Sequence, residues 1–258
     1  RSEHRYQVPI DLGSRKQAQI GGILASNAGG MRTPKYGPFR AYILGLEAVL
    51  PNGQVLDMQS KIRKDNTGLD IKQLFIGSEG IMGIITKANI LVKPADKYKK
   101  LIVFECQSLQ STIEIGNVCR EKFGRHVSAL ELFDDHGYSL VRESLRYKDL
   151  PFQSHPQLKN YYLLLEISAQ ESLDDALSEL QNNLKEKGLF KNVATAEDEE
   201  TYNKLWTLRE GIVEAIRTQG IVFNYNVTLE VGKFEELLQT VRQSIGDSGK
   251  VAGYGYSG

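Results

Sequence analysis

Residues 20–30 read Ile-Gly-Gly-Ile-Leu-Ala-Ser-Asn-Ala-Gly-Gly and are the most informative stretch of the chain. Two glycine pairs, Gly21-Gly22 and Gly29-Gly30, flank a run of small and apolar residues that contains Ser26 and Asn27. Paired glycines let backbone N–H groups approach a flat or anionic ligand, and the two polar side chains can hydrogen-bond to its edge. A single glycine pair of this kind is more often a loop with strained turns, so the interpretation depends on its surroundings.

A second glycine-rich segment lies at residues 76–86, with the sequence Ile-Gly-Ser-Glu-Gly-Ile-Met-Gly-Ile-Ile-Thr. It leads into an alternating pattern at residues 84–92, which predicts a half-buried strand that Pro94 ends. One face of that strand would carry Ile84, Thr86, Ala88, Ile90 and Val92. The two glycine-rich segments together predict the two walls of one cleft.

A hairpin is predicted between these segments, because residues 44–50 and 54–57 flank Pro51-Asn52-Gly53. Asn-Gly supplies two residues with positive φ, which suits a tight antiparallel turn. The pattern changes at residues 93–97, and we therefore expect one domain over residues 1–97 and a second over residues 98–258.

The second domain is predicted to be an α+β sheet with helices on one face. Strands are expected at residues 101–106, 129–133, 161–167 and 221–229. One helix is expected to be capped by Ser172 and ended by Gly188, and another to run from about residue 199 to 219.

The composition favours a small-molecule ligand over a polyanion. The 32 Lys and Arg residues balance 32 Asp and Glu residues, so no overall charge would attract nucleic acid or anionic lipid. Only Cys106 and Cys119 are present, too few for a disulfide framework or a cysteine-built metal centre. No apolar run approaches the length of a membrane span, so we expect a soluble chain. No leader precedes the first folded segment, so we expect any targeting peptide to have been removed or not included.

In their order along the chain, these segments resemble the FAD-linked D-2-hydroxyacid dehydrogenases, which belong to the vanillyl-alcohol-oxidase-like flavoproteins. The similarity runs from about Pro9 to the last residue and is closest to the D-2-hydroxyglutarate dehydrogenase branch, with D-lactate dehydrogenase next. Beside the two glycine-rich segments it is carried by further blocks, which include residues 44–47, 64–68, 208–210 and 253–255. It implies an α+β protein, with the C-terminal part of a two-subdomain FAD-binding domain followed by an α+β substrate or cap domain that has an antiparallel sheet.

The resemblance also implies which residues line FAD: Gly21, Gly22, Ser26, Asn27, Gly29, Gly30, Tyr36, Gly77, Ser78, Gly80, Gly83 and Ile85. Ile23 departs from the family, which usually has asparagine at this position. The family's earlier loop for the FAD pyrophosphate has no counterpart before Ile20, which predicts poorly compensated phosphate charges.

Arg209 matches the family's position for binding the substrate carboxylate, and a planar guanidinium pairs with a carboxylate at two points. From spacing alone, the alternative is an exposed helical arginine that pairs with Glu210 or Glu214. Val213 and Asn224 stand where this branch generally has threonine and lysine, so a dicarboxylate is expected to bind less well.

A metal site is not expected in this chain. The family binds a divalent metal through two histidines near the C-terminus, and Tyr256 occupies the position of the first, while the chain stops at Gly258 before the second. A phenol must lose a proton near its pKa of about 10 before it can replace imidazole as a ligand. The four histidines, His4, His126, His136 and His155, have no paired spacing that would replace this site.

Two functions remain open from the sequence. The first, which the resemblance implies, is a mitochondrial flavoenzyme, soluble or peripherally associated with a membrane, that transfers a hydride from C2 of a D-2-hydroxy acid to FAD. The 2-hydroxy acid would be of the glutarate or lactate type, and electrons would pass to an acceptor protein or a quinone-linked carrier. The second is a catalytically degenerate relative that serves as an accessory subunit of a larger assembly. A nucleic acid partner and a transmembrane segment are not expected.

Overall fold

The computed structural model describes residues 5–144, 150–153 and 160–257. Internal contacts divide the chain into two compact units, residues 1–95 and 96–258. No helix among the described residues is both long enough and apolar enough to cross a membrane.

The first unit contains two small antiparallel sheets and two short helices. In chain order its elements are β1 (Tyr6–Gln7), α1 (Ile20–Ala25), α2 (Thr33–Tyr36), β2 (Ile43–Val49), β3 (Val55–Met58), β4 (Ile84–Ile90) and β5 (Lys93–Pro94), with 3₁₀ turns at Phe39–Tyr42 and Ile71–Leu74. One sheet has the order β3-β2-β4, and β1 pairs with β5 in the other. Leu24 of α1 is buried with Ile43, Leu46 and Phe75, so the first glycine-rich segment is anchored to the core of this unit.

The predicted hairpin is formed by β2 and β3, but its turn differs from the prediction. Gly53 has a φ of 84°, whereas Asn52 has a negative φ. The Gly53 N–H donates to the Leu50 carbonyl at 2.9 Å, which closes a turn with Pro51 at its second position. Pro51, Asn52 and Gly53 thus form a three-residue loop between Leu50 and Gln54. Proline holds the φ of Pro51 near −65°, so Gly53 is the only left-handed residue of the three.

The prediction of which side chains of β4 face inward is wrong at its beginning. Glu47 of β2 pairs with Lys87 and the next residue, Ala48, pairs with Ile85, so Thr86 is an additional residue in the ladder. This β-bulge reverses the alternation on one side of Thr86. Ile85 consequently packs on the core, and Ile84 is 70% exposed.

The end of β4 was also misplaced. The strand ends at Ile90 rather than at residue 92. The following residues, Lys93 and Pro94, form β5 and pair with β1.

The second unit is an antiparallel five-stranded sheet with helices. Its elements are β6 (Tyr98–Cys106), α3 (Leu109–Phe123), β7 (Val127–Asp134), α4 (Asp135–Ser144), β8 (Tyr161–Ala169), α5 (Asp174–Glu186), β9 (Asn192–Thr195), α6 (Glu199–Arg217), α7 (Phe234–Ile245) and β10 (Tyr254–Tyr256). The strand order is β10-β7-β8-β6-β9. The predicted strands at residues 101–106, 129–133 and 161–167 are confirmed, as is the α+β fold class with an antiparallel sheet.

Helices pack on both faces of this sheet, which corrects the prediction of one face. Side chains of α3 and α5 form an apolar core with Leu163, Leu165 and Ile167 of β8. On the opposite face, Trp206 of α6 donates from its indole nitrogen to Glu166 at 3.1 Å. Every residue of β8 is therefore buried, and a strand buried on both faces has a nearly continuous apolar sequence rather than a strict alternation.

The N-cap of α5 is Leu173 and not the predicted Ser172, so the helix starts one residue later than predicted. The Ser172 hydroxyl nevertheless accepts a hydrogen bond from the Asp174 N–H at 3.2 Å. Gly188 follows the helix with a φ of 65°, and Leu177, Leu180 and Leu184 form its buried stripe.

The predicted strand at residues 221–229 is not formed. Within the described residues this segment has no strand partner, and side chains of both alternating sets are exposed, including Ile221 at 92% and Tyr225 at 78%. β-branched and aromatic residues favour a strand only where a neighbouring strand and a packing surface are available.

Gly45→Ala is expected to destabilise the protein by about 3 kcal/mol. A methyl group at residue 45 would lie 2.7 Å from the Met58 carbonyl oxygen and closer still to the Ser60 nitrogen, and backbone atoms cannot move aside as a side chain can. The measurement is urea unfolding of the two proteins. Gly13→Ala is the control, because nothing lies within 4 Å of the added methyl group. Equal stability of the two variants would contradict the close approach at Gly45.

Candidate functional site

The two glycine-rich segments lie against each other in the first unit. We call residues 20–30 the first glycine loop and residues 76–83 the second glycine loop. The Gly77 N–H donates to the Leu24 carbonyl at 2.9 Å, and the Glu79 N–H donates to the Ala25 carbonyl at 2.8 Å. Two backbone hydrogen bonds therefore fix the relative position of the loops, although about 50 residues separate them in sequence.

Unfavourable backbone conformation is concentrated at this junction. Among the described residues, Asn27 and Glu79 are the only residues other than glycine with positive φ, at 46° and 52°. Each belongs to one of the two glycine loops. Such conformations persist only where surrounding contacts enforce them, and they occur preferentially at functional sites.

Several of the predicted glycines are required by contacts within the chain. An added Cβ would lie 3.0 Å from the Ile85 carbonyl oxygen at Gly21, 2.8 Å from the Asp11 carbonyl carbon at Gly30, and 2.6 Å from the Val49 carbonyl oxygen at Gly83. Packing of the first unit accounts for these three glycines without a ligand.

Other glycines are not in close contact with the rest of the chain and leave open surface, although Gly80 also has a φ of 87°, which favours glycine without any ligand. At Gly22 and Gly80 nothing lies within 4 Å of an added Cβ, and at Gly29 only the Thr33 hydroxyl does, at 3.9 Å. The N–H groups of Gly29 and Gly80 have no acceptor within the described residues. A flat ligand could therefore approach the backbone at these points and accept hydrogen bonds from it.

The remaining predicted side chains are held by contacts inside the first unit. The Ser26 hydroxyl donates to the Gly22 carbonyl at 2.8 Å, and the Ser78 hydroxyl donates to the Phe75 carbonyl at 2.9 Å. The Tyr36 hydroxyl accepts from Gln7 at 2.5 Å, and its ring packs edge-on against Tyr42. Ser26 and Ser78 thus donate to backbone carbonyls three or four residues before them. Tyr36, in contrast, contacts Gln7 and Tyr42, which lie outside both loops.

Exposed apolar side chains lie within the second glycine loop and just before it. Ile81 is 82% exposed and Leu74 is 59% exposed, and Met82 is also exposed. These side chains suit a largely apolar, planar partner. An open depression beside Gly30 has room for only about one water molecule, far less than the roughly 300–1,000 Å³ of typical cofactor sites, so we place the candidate site on the loops themselves.

Arg40 is a residue at this site that the sequence interpretation missed. Its Nη2 donates to the Ile76 carbonyl at 2.7 Å, directly before the second glycine loop turns at Gly77. The only sequence signal was a cation within residues 38–46, a run that is otherwise mostly apolar.

Arg209 in the second unit is neither exposed nor paired with a neighbour on its own helix. Its Nε donates to the Glu131 carboxylate of β7 at 2.7 Å, and both side chains are largely buried. Its guanidinium carbon lies 4.3 Å from the centre of the Tyr254 ring. The terminal amino groups of Arg209 have no hydrogen-bond acceptor within the described residues, which leaves them able to bind a carboxylate.

Two further buried glutamates on the same sheet face have hydrogen-bond partners that give them a structural role. Glu105 accepts from Asn160 at 2.7 Å and from Asn192 at 2.5 Å. Glu166 accepts from Trp206 and from the Tyr202 hydroxyl. Glu166 thus helps to hold α6 on the sheet, while Glu105 joins its own strand to Asn192 of β9 and to Asn160 before β8.

The other candidate groups do not gather into a reactive cluster. Burial raises the pKa of both Cys106 and Cys119 to about 12, so neither is a ready thiolate nucleophile. Burial lowers the pKa of His136, while His4 and His155 lie outside the described residues. Tyr256 is 51% exposed. Within the described part of the chain, no three His, Cys, Asp or Glu side chains are placed to hold a metal.

Comparison with known proteins decides the family. A model described as "FAD linked oxidases, C-terminal domain" matches residues 95–258, and one described as "FAD binding domain" matches residues 2–59. The chain belongs to the FAD-linked oxidase family. The resemblance noted in the sequence is thereby confirmed.

Two curated proteins are similar to this chain over nearly its whole length. It is 37% identical to the mitochondrial D-2-hydroxyglutarate dehydrogenase of Arabidopsis thaliana, over 97% of this chain and 45% of that protein. It is 35% identical to a putative mitochondrial D-lactate dehydrogenase of Schizosaccharomyces pombe, over 95% of this chain and 46% of that protein. The chain thus spans about half the length of the curated relatives it matches.

The solved structure is an alkyldihydroxyacetonephosphate synthase, which matches with a TM-score of 0.68 at 17% identity and covers 98% of this chain and 51% of that one. At this identity the match shows a shared fold.

Glu79→Gly is expected to stabilise the protein by about 1 kcal/mol, because glycine adopts a φ of 52° without the steric cost that a side chain carries there. Gly80→Ala, at a φ of 87°, should have the opposite effect of similar size. Urea unfolding of the apoprotein measures both. A loss of stability in the glycine variant would show that the Glu79 side chain makes a stabilising contact.

Glu131→Gln is expected to destabilise the second unit by about 3 kcal/mol, because it leaves the largely buried Arg209 cation without its carboxylate. Adding Arg209→Met to this variant should cost less than the sum of the two single changes, since the pair acts as one unit. Thermal or urea unfolding of the four proteins checks this. Additive losses would contradict the pairing.

Proposed function

We propose that the chain is part of a flavoprotein oxidoreductase that binds FAD on the two glycine loops and oxidises a D-2-hydroxy acid. The observation that carries this proposal is the junction of the loops, where open glycines, two strained residues and N–H groups without an acceptor in the described part of the chain meet. The matched family models support FAD as the cofactor. When bound, FAD supplies the acceptor for the hydride that leaves C2 of the substrate.

The chain's own groups suit the flat part of this cofactor. The N–H groups of Gly29 and Gly80 would donate to polar atoms at the edge of the ring, and the absence of side chains at Gly22 and Gly80 would let the ring approach the backbone. Apolar side chains such as Ile81 would exclude water from one side. We assign residues 1–97 to the flavin-binding domain and residues 98–258 to the substrate domain.

Arg209 would bind the substrate carboxylate. Its Nε is occupied by Glu131 and its ring contact with Tyr254 fixes the plane of the guanidinium, so the terminal amino groups are oriented in advance. The carboxylate of Glu131 offsets part of the positive charge of Arg209. Binding therefore depends more on directed hydrogen bonds to a carboxylate than on non-specific attraction of anions. Arg209 has no role in proton transfer in this proposal.

The relatives' names support a 2-hydroxy acid of the glutarate or lactate type and a mitochondrial location. Asn224 is neutral and exposed, so a second carboxylate would lack a cation at this residue. Electrons would leave the reduced cofactor for an acceptor protein or a quinone-linked carrier.

The test is spectroscopic and uses the protein with FAD added. We expect flavin absorption to remain with the protein after gel filtration, and to bleach anaerobically with D-2-hydroxyglutarate or D-lactate but not with the L enantiomers. Protein that binds no FAD would refute the cofactor assignment. Protein that binds FAD but bleaches with neither acid would leave the catalytically degenerate accessory subunit as the better description.

Arg209→Met should lower kcat/KM about 10- to 150-fold, the equivalent of losing a charged hydrogen bond of about 1.5–3 kcal/mol. Arg217→Met is the matched control, since it removes an exposed arginine from the last turn of the same helix. Steady-state kinetics with both acids makes the comparison. An equal effect of the two changes would remove Arg209 from the substrate site.

A further inference from the structure

Arg40 is held firmly in position by its neighbours in sequence. It lies in the 3₁₀ turn Phe39–Tyr42, whose first and last residues are buried in the core of the first unit. Pro38 precedes the turn and restricts the backbone at its start. The base of the Arg40 side chain therefore has little freedom, and its guanidinium reaches the second glycine loop from a fixed origin.

The charge of Arg40 lacks a counter-ion within the described part of the chain. Its one hydrogen bond is from Nη2 to the neutral carbonyl of Ile76, and no carboxylate lies within 4 Å of its nitrogens. The Nε atom is buried and has no acceptor among the described residues. Burying a cation without a counter-ion costs free energy. This arrangement therefore favours a bound ligand that supplies electron-rich atoms next to Arg40.

The guanidinium also lies where both glycine loops meet. A Cβ added at Gly77 would be 3.8 Å from Arg40 Nη2 and 3.2 Å from Asn27 Cβ. The cation, the strained residue of the first loop and the turn of the second loop are thus within a few ångströms of one another. A ligand that contacts the two loops would lie close to this charge.

We propose that Arg40 is a positioning residue of the flavin site, which fixes the second glycine loop through Ile76 and places a positive charge beside the flavin ring. The proposal rests on the proposed function. Open glycine backbone and exposed apolar side chains at the same junction suit a planar ring. The charge of Arg40 is therefore assigned to the flavin ring and not to the FAD phosphates.

The charge has a definite consequence for the reaction. Oxidation of a 2-hydroxy acid transfers the C2 hydrogen with its electron pair to FAD and releases the hydroxyl proton, giving the 2-oxo acid and reduced FAD. Reduction increases the negative charge density of the ring, so a neighbouring cation stabilises the reduced form more than the oxidised form.

The experiment compares Arg40→Gln, Arg40→Lys and the control Arg63→Gln, which removes an exposed arginine from the same unit. Three quantities are measured: the dissociation constant for FAD, the reduction potential of bound FAD by equilibration with a reference dye, and the urea midpoint of the apoprotein. Hydrogen exchange at the Gly77 and Glu79 amides, which donate between the loops, reports loop alignment in the absence of FAD.

We expect Arg40→Gln to weaken FAD binding about tenfold and to favour the oxidised form about tenfold more than the wild type does. For a two-electron couple this corresponds to a potential lower by about 30 mV. Arg40→Lys should retain the wild-type potential, because it keeps the charge, but should exchange faster at Gly77 and Glu79, because lysine lacks the planar fork. Arg63→Gln should match the wild type in all three quantities.

Two results would overturn the proposal while leaving the proposed function intact. One is a wild-type potential in Arg40→Gln, which would mean that the charge acts on the phosphates or only on folding. The other is a loss of FAD affinity in both Arg40 variants that is fully accounted for by a lower urea midpoint of the apoprotein. Failure of the wild-type protein to bind FAD is distinct from both, because it would refute the proposed function first.

Discussion

The candidate flavin site depends on two backbone hydrogen bonds that join the loops of the first unit, from the Gly77 N–H to Leu24 and from the Glu79 N–H to Ala25. Glu79, which donates the second of these bonds, has a left-handed conformation, and so does Asn27 on the opposite loop. Both carbonyl acceptors belong to α1, whose Leu24 is anchored in the core. The position of the second loop is therefore set by the packing of the first, and a change in that core would move both walls of the site together.

The sequence predicted these loops because their signals are local. Glycine pairs, the Pro-Asn-Gly turn and the apolar stripe of α5 each act within a few residues, where steric rules decide the conformation. The errors arose where distant residues decide. The bulge at Thr86 exists because β2 sets the register of β4, and nothing within residues 84–92 distinguishes it from a regular alternation. Residues 221–229 have strand-like side chains, but pairing depends on a neighbour that the segment itself cannot provide.

The same reasoning explains why the partners of Arg209 could not be read from its spacing. Neighbours at three or four residues favoured a surface ion pair, yet Glu131 lies 78 positions away and is brought near because α6 packs on the sheet that contains β7. One sign was present in the sequence: glutamates within the strands at Glu105, Glu131 and Glu166, where a buried carboxylate requires a donor from the facing element. Such a pattern predicts that a polar helix face covers the sheet, although it does not identify which helix.

Arg40 and Arg209 are held by chemically different acceptors, and this difference separates their proposed roles. Arg209 is bound by a carboxylate, which offsets its charge and leaves a guanidinium suited to directed hydrogen bonding of an anionic substrate. Arg40 is bound by the neutral Ile76 carbonyl and keeps its full charge in a partly buried position. A group whose task is to orient a carboxylate benefits from a fixed plane more than from net charge. A group whose task is to favour one redox state of a neighbouring ring needs net charge, because only the charge difference between the two states distinguishes them.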